Sequence, residues 1–499
     1  MRGIYTPVTK LRRQVFAQIA EFAYRNEEYA AFEEIPYKII KGEVATYRDS
    51  IFKERAIIGE RLRLAMGLSL RKVDEHMPVA KGIEECAKPE KYYEPPLVNV
   101  IPFACNACPE TSLMVTDNCR GCLAHPCVSV CPVKAVSFEN GKSHIDQDKC
   151  VRCGRCKDVC PYSAIVKYER PCAAACGVDA IESDYLGRAK INYDKCVSCG
   201  MCIVNCPFGA IADKSQIYQL IRAIMDGQEV VAEIAPAFVG QFGPLATPDK
   251  VKDALKELGF SAVYEVAIGA DIGAMAEADH YVNHVGKDLP FLATSCCPSW
   301  SVMAKNNFPD LAGCVSEALT PMVATARIIK KEHPDAKVVF IGPCAAKKLE
   351  ASRRSVRSDV DFVITFEELM GMFVAKGIDF GSVDTEPMDD ATGAGRGYAV
   401  AGGVADAIAN CIKEKYPDVE VKVDRAEGLR NCKKMLQIAK AGKRNGYLLE
   451  GMACPGGCVG GAGTVIPINK ASAAVKSFQT KAGSSIAYDS KYADEKIEE

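Results

Sequence analysis

Apolar residues recur at helical spacing early in the chain: Leu11, Val15, Ile19 and Phe22, then Ile51, Ile58, Leu62 and Met66. Steps of three, four and seven place each set on one face, so residues 1–95 are predicted to form two or three amphipathic helices. Their apolar faces are expected to pack against the rest of the protein or a partner, and Pro95-Pro96 closes the segment. From residue 228 the pattern alternates between strands and helices. A strand over 229–234 ends at Ala235-Pro236-Ala237. Thr247 before Pro248-Asp249 reads as an N-cap with proline at the first helical position, and that helix stops at Gly259. Strands over 261–266 and 360–364 and a helix over 366–376 continue the alternation. Short apolar runs at 290–293, 337–341 and 447–449 also have strand character. The expectation is an α/β domain over 228–465 with parallel sheets flanked by helices. Residues 466–499, rich in Lys, Ser and Ala, are expected to form a polar tail with a frayed acidic end.

A chain of 499 residues exceeds one core, which implies two to four domains. The net charge of −2 leaves no basic footprint for nucleic acid. No apolar run approaches the roughly 18 residues that cross a bilayer, so no membrane association is expected. The first residues lack the apolar core of a secretory signal, and no apolar run follows Arg12-Arg13. The expected setting is therefore cytoplasmic, reducing and anaerobic. There, 25 cysteines read as metal ligands rather than disulfides.

Two runs dominate the first cysteine-dense stretch: Cys119-x2-Cys122-x4-Cys127-x3-Cys131-Pro132 and Cys150-x2-Cys153-x2-Cys156-x3-Cys160-Pro161. In two-cluster bacterial ferredoxins the fourth cysteine of each run ligates the other cluster. That pairing puts Cys119, Cys122, Cys127 and Cys160 on one [4Fe–4S] centre, and Cys150, Cys153, Cys156 and Cys131 on the next. Zinc competes for Cys-x2-Cys pairs; the third cysteine at x2 and the Cys-Pro ending favour iron–sulfur. A second module has one complete half, Cys196-x2-Cys199-x2-Cys202-x3-Cys206-Pro207, and a broken one ending in Cys172-x3-Cys176. Cys105-x2-Cys108 supplies the missing pair if the module over 109–170 is inserted inside the other half. Cys196, Cys199, Cys202 and Cys176 then hold a third centre, and Cys105, Cys108, Cys172 and Cys206 a fourth. The alternative for Cys105 and Cys108 is an independent zinc or solvent-facing pair. Residues 97–215 thus read as two nested ferredoxin-like (α+β) modules, with a hairpin over 185–192 before Cys196.

Three further segments follow predicted strands: Thr294-Ser295-Cys296-Cys297-Pro298-Ser299-Trp300, Gly342-Pro343-Cys344-Ala345-Ala346-Lys347 and Glu450-Gly451-Met452-Ala453-Cys454-Pro455-Gly456-Gly457-Cys458. In parallel sheets the functional crevice lies beyond the carboxyl ends of strands, so these loops would gather five cysteines and a lysine. They closely resemble the signature loops of [FeFe] hydrogenases, over residues 229–465 and, with the iron–sulfur modules, back to about residue 97.

The resemblance implies two lobes with the active site between them. It implies an H-cluster: a [4Fe–4S] cube on Cys297, Cys344, Cys454 and Cys458, bridged through Cys458 to a diiron subcluster with CO, cyanide and a bridging azadithiolate. It also implies reversible interconversion of H2 with two protons and two electrons. Four accessory [4Fe–4S] clusters would form a wire to ferredoxin or another low-potential carrier, and maturation proteins would install the diiron unit. Cys296 falls at the first proton carrier of the family, against the bland reading of a packed thiol. Glu277 and Ser316 match the next relay positions, while His280 and His284 stand where the family has a glutamate and an arginine; solvated surface histidines are the alternative. Lys347 matches the donor to a cyanide nitrogen, and Ala235, Pro236, Ala237 and Met452 match cavity-lining positions. Gly342, Ala237 and Ala462-Gly463-Thr464 depart from the commoner family residues, as in a less-studied subgroup. The glycine-rich Thr392-Gly393-Ala394-Gly395-Arg396-Gly397-Tyr398 lacks the strand and acidic residue of a dinucleotide loop and matches a cavity-lining loop of the family. Trp300, Cys314, Cys411 and Cys432 read as packing or structural residues, and Cys86 as a lone thiol, buried or exposed. The rival readings are a sensor with the same cofactor, an iron–sulfur assembly factor and a plain electron carrier.

Overall fold

The computed structural model describes residues 4–72, 74–86, 95–352, 358–382, 386–495 and 497. The first amphipathic pattern folds as the helix Pro7–Arg25, with Thr6 accepting the Thr9 N–H at 3.2 Å and Asn26 ending it in a left-handed conformation. Its face of Val15, Phe16, Ile19 and Phe22 is buried and belongs to the same apolar core as the strands from residue 230 onward. The contact is close. A Cβ on Gly371, in the helix Phe366–Lys376, would lie 2.8 Å from Phe16, and Arg12 forms an ion pair with Glu367 of that helix. The second pattern gives the helix Ile51–Ala65. The N-terminal segment is therefore helical as expected, and it completes the large core rather than standing beside it.

Two antiparallel pairs organise the cysteine-rich region. Val98–Val100 pairs with Ile211–Asp213, and inside that span Ser112–Val115 pairs with Ile165–Tyr168. One strand pair thus encloses the other along the sequence. The expected hairpin forms between Ile181–Ser183 and Ala189–Ile191. Arg170 stands at the junction, its guanidinium donating to the carbonyls of Cys108 (3.0 and 3.2 Å), Glu182 (3.1 Å) and Gly187 (2.8 Å).

Beyond residue 228 the chain is a mixed α/β fold with two parallel sheets. One has the order Ala262–Glu265, Val230–Ile234, Lys337–Gly342, Phe362–Thr365; the other has Leu292–Ala293, Tyr447–Met452, Lys422–Glu427. Thr247 and Thr365 cap the two expected helices, Thr365 in a reciprocal capping box with Glu368. Two expectations need correction. The last strand runs to Met452 rather than 449, because Glu450 is buried and accepts the N–H groups of Gly402 (2.6 Å) and Ala405 (2.8 Å). The segment after 466 is not simply a tail: Ile468–Thr480 is a helix with Ala471, Val475 and Phe478 buried. The acidic end lies partly outside the described residues.

A candidate metal centre between two sheets

Each cysteine loop leaves the carboxyl end of a parallel strand. The first sheet delivers Ala235, Pro236 and Ala237 after Ile234, and Cys344 after Gly342. The second delivers Cys296 and Cys297 after Ala293, and Cys454 and Cys458 after Met452. All of these, with Lys347, Met452 and Tyr398, line one cavity of about 80 Å³. The five thiols are half-buried, their open side facing that cavity.

Burial pushes the Cys344 thiol up to about 11 and Cys458 up to about 12, with the neighbouring thiols adding to both. Cys297 is also raised by burial. Four converging sulfurs in an apolar pocket are costly as bare thiolates and suit a soft, positively charged iron centre. Lys347 supplies a cation beside them. Burial disfavours its ammonium, but the Glu350 carboxylate 2.6 Å away and the nearby thiols outweigh that and raise it. Sequence reasoning missed Glu350, although it stands one helical turn from Lys347. It also missed Glu233, a fully buried carboxyl with neither oxygen partnered among the described residues, which burial holds well above its ordinary value.

Cys296 is raised well above its ordinary value by burial and then by the charge of Glu277. Glu277 is buried on the helix Ala267–His284 and pushed up to about 7 by desolvation, with the Ser316 hydroxyl and the Ser295 N–H opposing. One turn on, His280 stacks on His284 with ring centroids 4.5 Å apart, and His284 Nδ1 lies 2.8 Å from Asp288 Oδ2 at the surface. The structure thus brings Cys296, Glu277 and Ser316 together, and one helix carries the line on to His280 and His284.

The accessory cysteines repeat one backbone design four times. The residue before the second cysteine is left-handed at Ala107, Gly121, Arg152 and Ser198. The sulfurs of Cys131, Cys160, Cys176 and Cys206 accept the N–H of Ala135, Ala164, Ala180 and Ala210 at 3.2, 3.4, 3.2 and 3.3 Å. Between them, Lys134, Ser163, Asp179 and Gly209 are left-handed. Such N–H donors favour the thiolate. Cys105, Cys108, Cys172 and Cys206 line a small common cavity, where burial and then mutual repulsion push Cys172 up to about 11. Burial, and then the neighbouring thiols of the set with Cys176, raise Cys196, Cys199 and Cys202; burial, and then Cys150 and Cys131, raise Cys156. For Cys119, Cys122 and Cys127 the loop backbone, with Cys127 Sγ 3.3 Å from Ser143 Oγ, is the placement seen. Trp300 is buried and donates to the Thr294 carbonyl at 2.9 Å, while Cys86, Cys314, Cys411 and Cys432 are buried away from the cavity.

These features define a class, an iron–sulfur protein built like a hydrogenase. The family described as iron only hydrogenase large subunit, C-terminal domain, matches residues 228–462, and the 4Fe-4S binding domain matches 143–166 and 189–212. The chain is 30% identical over 373 residues to the periplasmic [Fe] hydrogenase large subunit of Nitratidesulfovibrio vulgaris, covering 64% of this chain and 85% of that one. It is 29% identical over 379 residues to the NADP-reducing hydrogenase subunit HndD of Solidesulfovibrio fructosivorans, covering 64% of this chain and 63% of that one. A probable cytosolic Fe-S cluster assembly factor of Aedes aegypti is 26% identical over 302 residues, 48% of this chain and 61% of that one. The chain belongs to the iron-only hydrogenase family. It spans less than two thirds of the length of HndD. No helix among the described residues is long and apolar enough to cross a membrane.

Proposed function

We propose that this protein interconverts H2 with two protons and two electrons. The observation that carries the reading is the single cavity lined by Cys296, Cys297, Cys344, Cys454, Cys458 and Lys347, with the buried Glu277 behind Cys296. Cys297, Cys344, Cys454 and Cys458 would hold a [4Fe–4S] cube joined to a diiron unit with CO, cyanide and a bridging azadithiolate. When bound, that group supplies an open iron position for H2 and takes up its electrons.

The chain's own residues handle charge and access. Ala235, Pro236, Ala237 and Met452 keep the cavity apolar and exclude water. Lys347, held by Glu350, offers a charged donor to an anionic ligand such as cyanide. Cys296 Sγ holds or delivers the proton, the Glu277 carboxyl takes the next place, and the Ser316 hydroxyl bridges onward. A carboxyl raised to about 7 exchanges protons readily near neutral pH. His280 and His284 continue the path to solvent at Asp288.

Electrons travel the other way out. Cys199 lies close enough to Cys297 for their charges to interact, and Cys202 likewise to Cys172. The order is then the Cys176/Cys196/Cys199/Cys202 cluster, the Cys105/Cys108/Cys172/Cys206 cluster and the inserted module. Cys153, the one exposed cysteine among the described residues, marks the outlet to ferredoxin or a similar low-potential carrier. Maturation proteins would install the diiron unit, in the cytoplasm. The similarity to an assembly factor favours a second reading, an iron–sulfur assembly protein without the diiron unit. Infrared spectra of anaerobically matured protein decide between them: CO and cyanide bands with H2 turnover support the enzyme. Ordinary cubane iron with no such bands supports the assembly protein.

A further inference from the structure

Tyr398 lines the cavity beside Cys296, yet its hydroxyl is buried and meets no hydrogen-bond partner among the described residues. Native cores rarely leave a buried hydroxyl unpaired, so its partner is to be sought in the cavity that this residue lines. Its placement is enforced from behind. Asp271 accepts the Thr392 N–H (3.0 Å), the Thr392 hydroxyl (2.6 Å) and the Gly395 N–H (2.8 Å). Arg396 forms two bonds to Glu265 (2.8 and 2.7 Å) and one to the Met388 carbonyl (2.9 Å). The turn Gly393–Gly397 is therefore clamped on both sides, and Tyr398 follows it with little freedom to turn elsewhere.

We propose that the Tyr398 hydroxyl donates a hydrogen bond to a diatomic ligand of the iron centre seated in this cavity. The inference rests on the cavity holding such a centre, as argued above. Burial, and then the charges of Glu277 and Cys296, hold the phenol well above its ordinary value, so it stays protonated and acts as a donor rather than a base. A donor at this position draws electron density from the ligand it touches and tunes the iron through it.

The test is infrared spectroscopy of the anaerobically matured full chain, as wild type and as Tyr398→Phe, in H2O and D2O. The expected result is at least one carbonyl or cyanide band displaced by more than its line width in the variant. That band is also expected to shift in D2O in the wild type only. A variant that keeps its accessory-cluster iron but loses the bands counts in favour, because the hydroxyl is then needed to hold the centre. Coincident bands in the two proteins overturn the proposal. Loss of accessory iron together with the bands overturns it too, marking a structural role. A wild type with no diatomic bands removes the underlying reading of the cavity, a failure distinct from coincident bands.

Discussion

The Ser299 hydroxyl donates to the Val197 carbonyl at 3.0 Å, tying the helix behind Cys297 to the loop between Cys196 and Cys199. The two cysteine systems are thus sewn together where electrons would have to cross. Gly200 makes the approach possible: it is left-handed, with φ of 75°, and a Cβ there would lie 2.5 Å from Ala462 Cβ and 3.3 Å from Ala345 Cβ.

Gly200→Ala is therefore expected to push the cluster loop off the catalytic domain. Turnover with an external electron carrier should fall several-fold, while the infrared bands of the matured cavity persist. Stopped-flow reduction of the accessory clusters under H2 checks it; unchanged rates would contradict the close-approach argument.

On the proposed role of Cys296 as proton carrier rather than iron ligand, Cys296→Ala should abolish nearly all H2 turnover with the diatomic bands retained. Glu277→Gln removes an acid–base group and should cost roughly a hundredfold or more in rate. Both are read by H2 evolution and uptake assays on iron-matched protein.

Glu277 also gives stability a pH dependence. Its folded pKa, about 7, is raised above the ordinary 4.5. The folded chain therefore binds the proton more tightly than the unfolded one. That contribution is complete below pH 4.5 and lost as pH rises through about 7. The span corresponds to about 3 kcal/mol. Denaturant unfolding of cluster-loaded protein should show Glu277→Gln losing stability less steeply than wild type across that window.

Cys105→Ser tests the nested arrangement. If Cys105, Cys108, Cys172 and Cys206 share a centre, the variant loses the iron and the paramagnetic signal of one cluster and keeps the others. Full iron content would return Cys105 and Cys108 to an independent pair.

Much of this was legible because cluster ligation leaves a rigid mark on spacing. The runs ending in Cys131, Cys160 and Cys206, and the three strand-end loops, could be read directly, and so could the cap at Thr247. The four-fold backbone design was not, because Lys134, Ser163 and Asp179 adopt left-handed turns without being glycine. The buried carboxyls Glu233 and Glu450 also escaped, since their environments are assembled by distant elements, whereas Glu350 sits one turn from Lys347. The helix Ile468–Thr480 had a signal, Ala471, Val475 and Phe478 at helical spacing, that its polar composition masked.

Lys348 is buried and donates to Asp213 Oδ2 (2.8 Å), the Lys214 carbonyl (2.8 Å) and Glu368 Oε1 (2.7 Å), joining the iron–sulfur region to the helix Phe366–Lys376. Lys348→Met leaves those carboxylates without their cation. It should destabilise the protein by about 3–5 kcal/mol, seen as a lower denaturant midpoint with both regions melting earlier.

Arg170 clasps the Cys108 carbonyl on the far side of a sixty-residue excursion, holding the chain that enters the inserted module against the chain that leaves it, just outside the strand pair Ser112–Val115 and Ile165–Tyr168. The excursion is thereby a cassette: its two ends are already neighbours without it. On the proposed cluster assignment, splicing a short turn in its place would shorten the conductor by two stations, and longer or different cassettes could be grafted at the same seam. On the proposed electron route, the reach of this protein toward a redox partner is set by what is plugged in at that point.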